Sequence, residues 1–215
     1  MQQYLETMYR VGGGTDRVAV STLAEPSAGA VSARMLYRDR PGILNGAGGQ
    51  WWPRRARAVL RGAGEPDRGQ YDDLPEVDYP SGAASLLNMA AVDRVGGMDE
   101  RFYLYFEDAD WGLRARAAGW RTLYAPGAVA LHVGSAGTAA RPARRRYYNV
   151  RNRLLLASLH APVGGRAWAW LETLWLAGRQ PARWLWRWRR DDAEAVLAGI
   201  VDHVAGRYGR STRFG

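Results

Sequence analysis

The chain has 215 residues, room for one sizeable domain with an appendage, and no cysteine, which excludes a disulfide framework and thiolate metal sites and fits a reducing compartment. Its 30 basic residues are all arginine and outnumber 21 acidic ones; the net charge of +9 predicts attraction to polyanions such as nucleotide diphosphates, anionic lipid or nucleic acid. No run of about 18 apolar residues occurs, and Met1 to Gly14 lacks the basic start and apolar core of a secretory leader, so neither a membrane span nor a signal peptide is expected.

Residues 2–10 read as a short helix broken by Gly12-Gly13-Gly14. Val18 to Thr22 and Ala30 to Tyr37 read as strands, the second ending at Arg38-Asp39-Arg40-Pro41-Gly42. Gly46 to Asp78, rich in Gly, Pro and charge, reads as a long loop with one short helix near Arg54 to Leu60. Its Trp51-Trp52 pair either anchors the loop to the core or stacks on a sugar ring. Gly82 to Met89 reads as a buried strand, because it mixes small and apolar residues without alternation, and Ala90 to Val95 as a short helix stopped by Gly96-Gly97.

Glu107 to Ala118 reads as a helix punctuated by Gly119. Asp110 and Arg114, four apart on it, face one another as an ion pair, whereas Asp108 has no partner at that spacing. Trp120 to Ala125 and Val129 to Val133 read as strands separated by a Pro126-Gly127 turn, with His132 near the end of the second. Gly134 to Pro142 reads as a flexible lid loop. Ala143 to His160 reads as a helix carrying Arg144, Arg145, Arg146, Arg151 and Arg153; these form either a solvated basic face or contacts to a diphosphate or lipid phosphate, with Arg151 and Arg153 the candidates.

Six of the ten tryptophans fall between Trp168 and Trp188. Two amphipathic helices are expected, Arg166 to Ala177 and Pro181 to Arg190. Trp168, Leu171 and Trp175 share a face of the first, Trp184 and Trp188 a face of the second. Arginine and tryptophan on such helices suit the bilayer interface, so Trp184 and Trp188 are candidate membrane contacts; a packed helical hairpin or a dimer contact is the alternative. Asp191 to Gly209 reads as a final helix with Ala195, Leu197, Ile200, Val201 and Val204 as its apolar stripe. No nucleic-acid motif is present, so nucleic acid is not expected as a partner.

The chemistry concentrates in Gly96-Gly97-Met98-Asp99-Glu100-Arg101-Phe102-Tyr103-Leu104-Tyr105-Phe106-Glu107-Asp108-Ala109-Asp110-Trp111. Glu107, Asp108 and Asp110 follow an aromatic run at the mouth of a helix. A carboxylate there can act as a general base in a partly dry cleft, or can simply answer the helix dipole.

Together with Asp78-Tyr79-Pro80-Ser81-Gly82-Ala83-Ala84, Ala118-Gly119-Trp120, Tyr124-Ala125-Pro126, His132 and Tyr147-Tyr148 leading into Arg151-Asn152-Arg153, this run resembles the second half of a family 2 glycosyltransferase of the GT-A fold, in its bacterial rhamnosyltransferase-like branch. Gly62 to Asp72 resembles the loop that this family carries before its acceptor segment. The resemblance implies an α/β fold: a partial GT-A-like (Rossmann-like) domain with a mixed sheet over residues 1–160, followed by an amphipathic helical tail over 161–215. It implies Asp108 as the base that deprotonates the acceptor hydroxyl, with Glu107, Asp110 and Gly82 at the acceptor site. His132 is implied as a ligand of a divalent cation (Mg or Mn) that holds the sugar-nucleotide diphosphate.

The implied reaction is inverting transfer of a sugar, rhamnose favoured, from a nucleotide-sugar donor to a glycan or lipid-linked acceptor in cell-wall or surface polysaccharide synthesis. The implied location is cytoplasmic, peripheral at the inner face of the membrane. The family's N-terminal nucleotide-binding half, with its Asp-x-Asp motif, finds no match here. A truncated, non-catalytic membrane- or partner-binding module is therefore the alternative.

Overall fold

A computed structural model describes residues 21–133, 142–179 and 190–215. The chain divides into two compact units, one of Met1–Trp51, Ala58–Met98 and Asp108–Gly134, the other of Trp52–Arg57, Asp99–Glu107 and Ser135–Gly215. The boundary expected at residue 160 falls inside the second unit.

The first unit is built on a mixed sheet. Its centre is β1 (Ala28–Tyr37), paired in parallel along its length with β7 (Arg121–His132). On its other side β1 pairs antiparallel with β6 (Ser85–Leu87) and β2 (Arg40–Gly46), and the short β5 (Glu76–Val77) adds antiparallel to β7. One core cluster gathers Ala28, Val31, Ala33, Leu123, Ala125 and Ala128. A second gathers Ala30 with Ala91 of α1 (Met89–Val95) and Trp111 and Ala115 of α2 (Glu107–Ala117). Val31 and Ala33, two apart, enter one cluster and Ala30 the other, as in a strand covered on both faces, while Ala28 joins the first across a register shift between it and Ala30.

Three expectations are corrected. Ser21 and Thr22 are helical rather than extended. The segment after Gly46 is not a loop with a helix: β3 (Gly49–Trp52) and β4 (Arg57–Leu60) form a two-stranded sheet around a 3₁₀ turn at Pro53–Arg55. Strands of four residues are too short to show a period, and the turn uses Ala56 at φ 43° where a glycine would have signalled it. Finally, Pro126-Gly127 is not a turn between two strands. β7 runs through it, with Ala33 opposite Ala125 and Arg34 opposite Val129, so Pro126, Gly127 and Ala128 bulge out of the ladder. A proline that cannot donate to the ladder is tolerated in such a bulge.

Both helices of this unit have the ends their sequence dictates. Asn88 caps α1 by accepting the Ala90 amide at 3.0 Å. α2 starts with acidic residues, carries Arg114 and Arg116 in its last turn, and ends in paired bonds from Trp120 N to Ala115 O and Gly119 N to Arg116 O, both 3.0 Å.

The second unit is helical. α3 (Pro142–His160), α4 (Val163–Gly178) and α5 (Arg190–Val204) match the expected helices to within a few residues at most ends, α5 stopping before Gly209. Its core joins Tyr147 and Tyr148 of α3 to Leu104 and to Ala195 of α5. Among the described residues, no helix is long and apolar enough to cross a membrane. The expected lid (134–141) and the helix carrying Trp184 and Trp188 lie outside the described residues.

Candidate active site

Asp108 stands in the first turn of α2. One carboxylate oxygen accepts the Gly82 amide at 2.8 Å and the other accepts the Ala109 amide at 2.8 Å. Burial pushes the carboxyl above its ordinary value, against the opposing pull of those two amides. A carboxyl that is half-buried and raised toward neutrality has the character a general base needs.

Glycine makes the Gly82 contact possible. A Cβ there would lie 3.1 Å from the Asp108 oxygen. One turn further along α2, a Cβ on Gly112 would lie 2.4 Å from Tyr79 Cβ and 2.6 Å from its Cα, so the segment from Tyr79 to Gly82 can rest on the helix only because position 112 has no side chain. That segment is fixed on its other side as well. Ser81 N donates to Ser32 Oγ at 3.2 Å, Tyr79 Oη donates to Val59 O at 2.9 Å, and Asp78 accepts Trp51 N at 2.7 Å and pairs with Arg116. Burial, then the charges of Asp108 and Asp78, push the Tyr79 hydroxyl well above its ordinary value, so it stays protonated as a donor.

Asp110 is buried and bonded to Arg114 Nε at 2.8 Å, the ion pair that its spacing predicts. Arg114 also donates to Val95 O at 2.9 Å and Gly97 O at 2.8 Å, and Trp111 Nε1 donates to Gly96 O at 2.9 Å. Asp110 therefore acts through Arg114, holding the Gly96-Gly97 segment against α2. Glu107 is the half-buried first residue of the helix. Trp52 keeps its ring 44% exposed. The loop from Gly62 to Asp72 is pinned by Arg34, which pairs with Asp67 at 3.0 Å and Asp72 at 2.5 Å.

His132 ends β7, with Nδ1 3.2 Å from Asn45 Oδ1 of β2. Facing a carbonyl oxygen, Nδ1 carries the proton and Nε2 keeps its lone pair; burial lowers the ring's pKa, so the imidazole is neutral. It is not among the groups bonded to Asp108. Among the described residues, no three His, Asp or Glu side chains gather closely enough to hold a metal ion. One imidazole does not hold a divalent cation, so the described residues do not fit the expected ion.

The second unit contains a feature that the sequence did not expose. Between Phe102 and Glu107 the backbone takes left-handed values at Tyr103 (φ 61°), Tyr105 (φ 70°) and Phe106 (φ 73°), each unfavourable for an aromatic residue. Asn152 of α3 holds this loop, its Nδ2 donating to Phe102 O (2.7 Å), Leu104 O (2.8 Å) and Tyr105 O (3.1 Å).

Arg151 beside it is buried. Nε donates to Asn152 Oδ1, Nη1 to Tyr147 Oη and Gly209 O, and Nη2 to Arg101 O and Phe102 O, all within 3.2 Å. The rings of Tyr147, Tyr148 and Tyr208 stand 4.9–5.8 Å from the guanidinium. All five donors of the fork are thus spent on the protein, which corrects the expectation that Arg151 contacts a diphosphate. Arg153 pairs with Glu172 and donates to Ala56 O at 3.3 Å. The signal for Asn152 was its place in the quoted motif; no local pattern announced which carbonyls it would meet.

The first unit thus joins a mixed sheet, a carboxylate-led helix and a glycine-lined segment against that carboxylate. Residues 17–159, well over half of the chain, match the family described as "Glycosyltransferase like family 2", and the chain belongs to that family. Among curated proteins it is similar to the N-acetylglucosaminyl-diphospho-decaprenol L-rhamnosyltransferase of two strains of Mycobacterium tuberculosis, 35% identical over 112 residues. That alignment takes in 52% of this chain and 35% of the relatives' own length, so the chain spans about a third of the proteins it matches.

Proposed function

We propose that the chain carries the acceptor-side part of an inverting glycosyltransferase, with Asp108 as its base. The observation that supports this most directly is the raised, half-buried Asp108 carboxyl oriented by the Gly82 and Ala109 amides. Asp108 takes the proton of an acceptor hydroxyl; that oxygen forms a bond to the anomeric carbon of a nucleotide-linked sugar. The anomeric carbon–oxygen bond to the diphosphate breaks, and the nucleotide diphosphate leaves with the electron pair. Attack opposite the leaving group inverts the centre. Glu107, Gly82 and, through Arg114, Asp110 shape the acceptor side.

Rhamnose is the favoured sugar, and a glycan or lipid-linked acceptor in surface polysaccharide synthesis the favoured context, by analogy with the named activity of the mycobacterial relatives. The tail's membrane contact through Trp184 and Trp188 at the cytoplasmic face belongs to the same reading.

The test is sugar transfer from a nucleotide-sugar donor, wild type against Asp108→Asn. Loss of transfer with the circular dichroism spectrum unchanged supports the base. Equal transfer by both proteins would falsify the base, and no transfer by either would favour the non-catalytic binding-module alternative.

A further inference from the structure

Asp108, Gly112 and Arg116 follow one another at helical spacing on α2 and so share one face of it. The segment from Asp78 to Gly82 runs along that face in the opposite direction. Gly82 donates its amide to Asp108 at 2.8 Å, Tyr79 lies over Gly112, and Asp78 pairs with Arg116. The helix therefore holds the segment at both ends, with Gly112 leaving room between them.

The other bonds of this segment lead away from the helix. Asp78 accepts Trp51 N of β3 with its second oxygen at 2.7 Å, Gly49 N donates to Tyr79 O at 3.0 Å, and Asp78 N donates to Gly49 O at 2.9 Å. Ser81 N donates to Ser32 Oγ of β1 at 3.2 Å. These bonds fix the segment to strands and leave its distance from α2 to be set by the contacts at Asp108, Gly112 and Arg116. Pro80, with its fixed φ, stiffens the stretch between Asp78 and Gly82, so a shift at the first is carried toward the second. The Arg116 side chain is 60% exposed and that of Asp78 25%, so the pair contributes little to global stability; what it governs is local geometry.

We propose that Asp78 and Arg116 form a positioning latch, which keeps α2 seated on the segment so that the Gly82 amide stays on the Asp108 carboxylate. The latch deepens the reading of Asp108 as the base, and its effect on transfer rests on that reading. Its effect on the Gly82 amide does not.

Amide hydrogen exchange followed by NMR reads that contact directly. In Arg116→Gln, and in Asp78→Asn, which keeps an oxygen for Trp51 N, the Gly82 amide should exchange about tenfold faster than in wild type. The Ala90 amide, capped by Asn88 in α1, should keep its rate, and the urea midpoint should change little. Arg116→Lys retains the charge and should retain most of the protection. In sugar transfer, the Gln and Asn variants should lose about tenfold in kcat with the acceptor KM near wild type, because orientation of the base is felt in the transition state. Unchanged Gly82 exchange in both folded variants, or exchange that rises equally at Gly82 and Ala90, would overturn the latch. Faster Gly82 exchange without loss of kcat would overturn its part in transfer. Equal transfer by Asp108→Asn and wild type would instead sink the base and leave the exchange result standing.

Discussion

A buried and a half-buried charged group in this chain are treated in opposite ways. Arg151 has every donor engaged by carbonyl, amide and hydroxyl oxygens and is walled by three tyrosine rings. Asp108 receives two backbone amides and is otherwise left to pay for its burial with a raised pKa. Saturation makes the first a scaffold; a smaller supply of hydrogen bonds leaves the second with a raised pKa. Two charges of one chain can thus differ in character according to how many hydrogen bonds each is given.

The sharpest way to break this contrast is Asp108→Asn. An amide of the same shape cannot take a proton, so transfer should fall by at least about a hundredfold while the circular dichroism spectrum is unchanged. Next comes Asn152→Leu. It strips three buried carbonyls of their donor, and stability measured by chemical denaturation should drop by about 3 kcal/mol. Survival of the midpoint in that variant would mean that the left-handed loop is held by something other than the Asn152 amide.

Gly112→Ala should cost about 1–3 kcal/mol, because its Cβ meets the Tyr79 backbone and that neighbour cannot rotate away. A difference in pH dependence follows. The folded protein holds the Asp108 proton more tightly than the unfolded chain does, so this residue's contribution is whole below its ordinary value of 3.8 and is lost as pH rises through the raised one. Asp108→Asn removes that titration, and the variant's denaturation midpoint should therefore gain on wild type as pH is raised above about 4. A constant difference across that range would show an unperturbed carboxyl.

The smallest effect is expected from Gly82→Ala. A Cβ 3.1 Å from the Asp108 oxygen displaces it by a few tenths of an ångström, so transfer should weaken while stability changes by less than about 1 kcal/mol.

Much of this architecture was readable before any coordinates. The Asp110–Arg114 pair follows from helical spacing, and the helix ends from Gly96 and Gly119. These are local relations, decided within one turn of chain. The β3–β4 hairpin was not readable, because its strands are too short for alternation to register. The bulge at Pro126 was not either, since a proline–glycine pair signals a turn unless a neighbouring strand holds both flanks.

The roles of Arg151 and Asn152 lay furthest from view. Their partners are backbone carbonyls about fifty residues earlier, and a carbonyl is the same at every position. By itself the sequence determined which helices form and which side chains carry charge. Only the tertiary structure decided which of those charges are saturated and which remain available, because desolvation and hydrogen-bond supply depend on what the distant chain brings alongside.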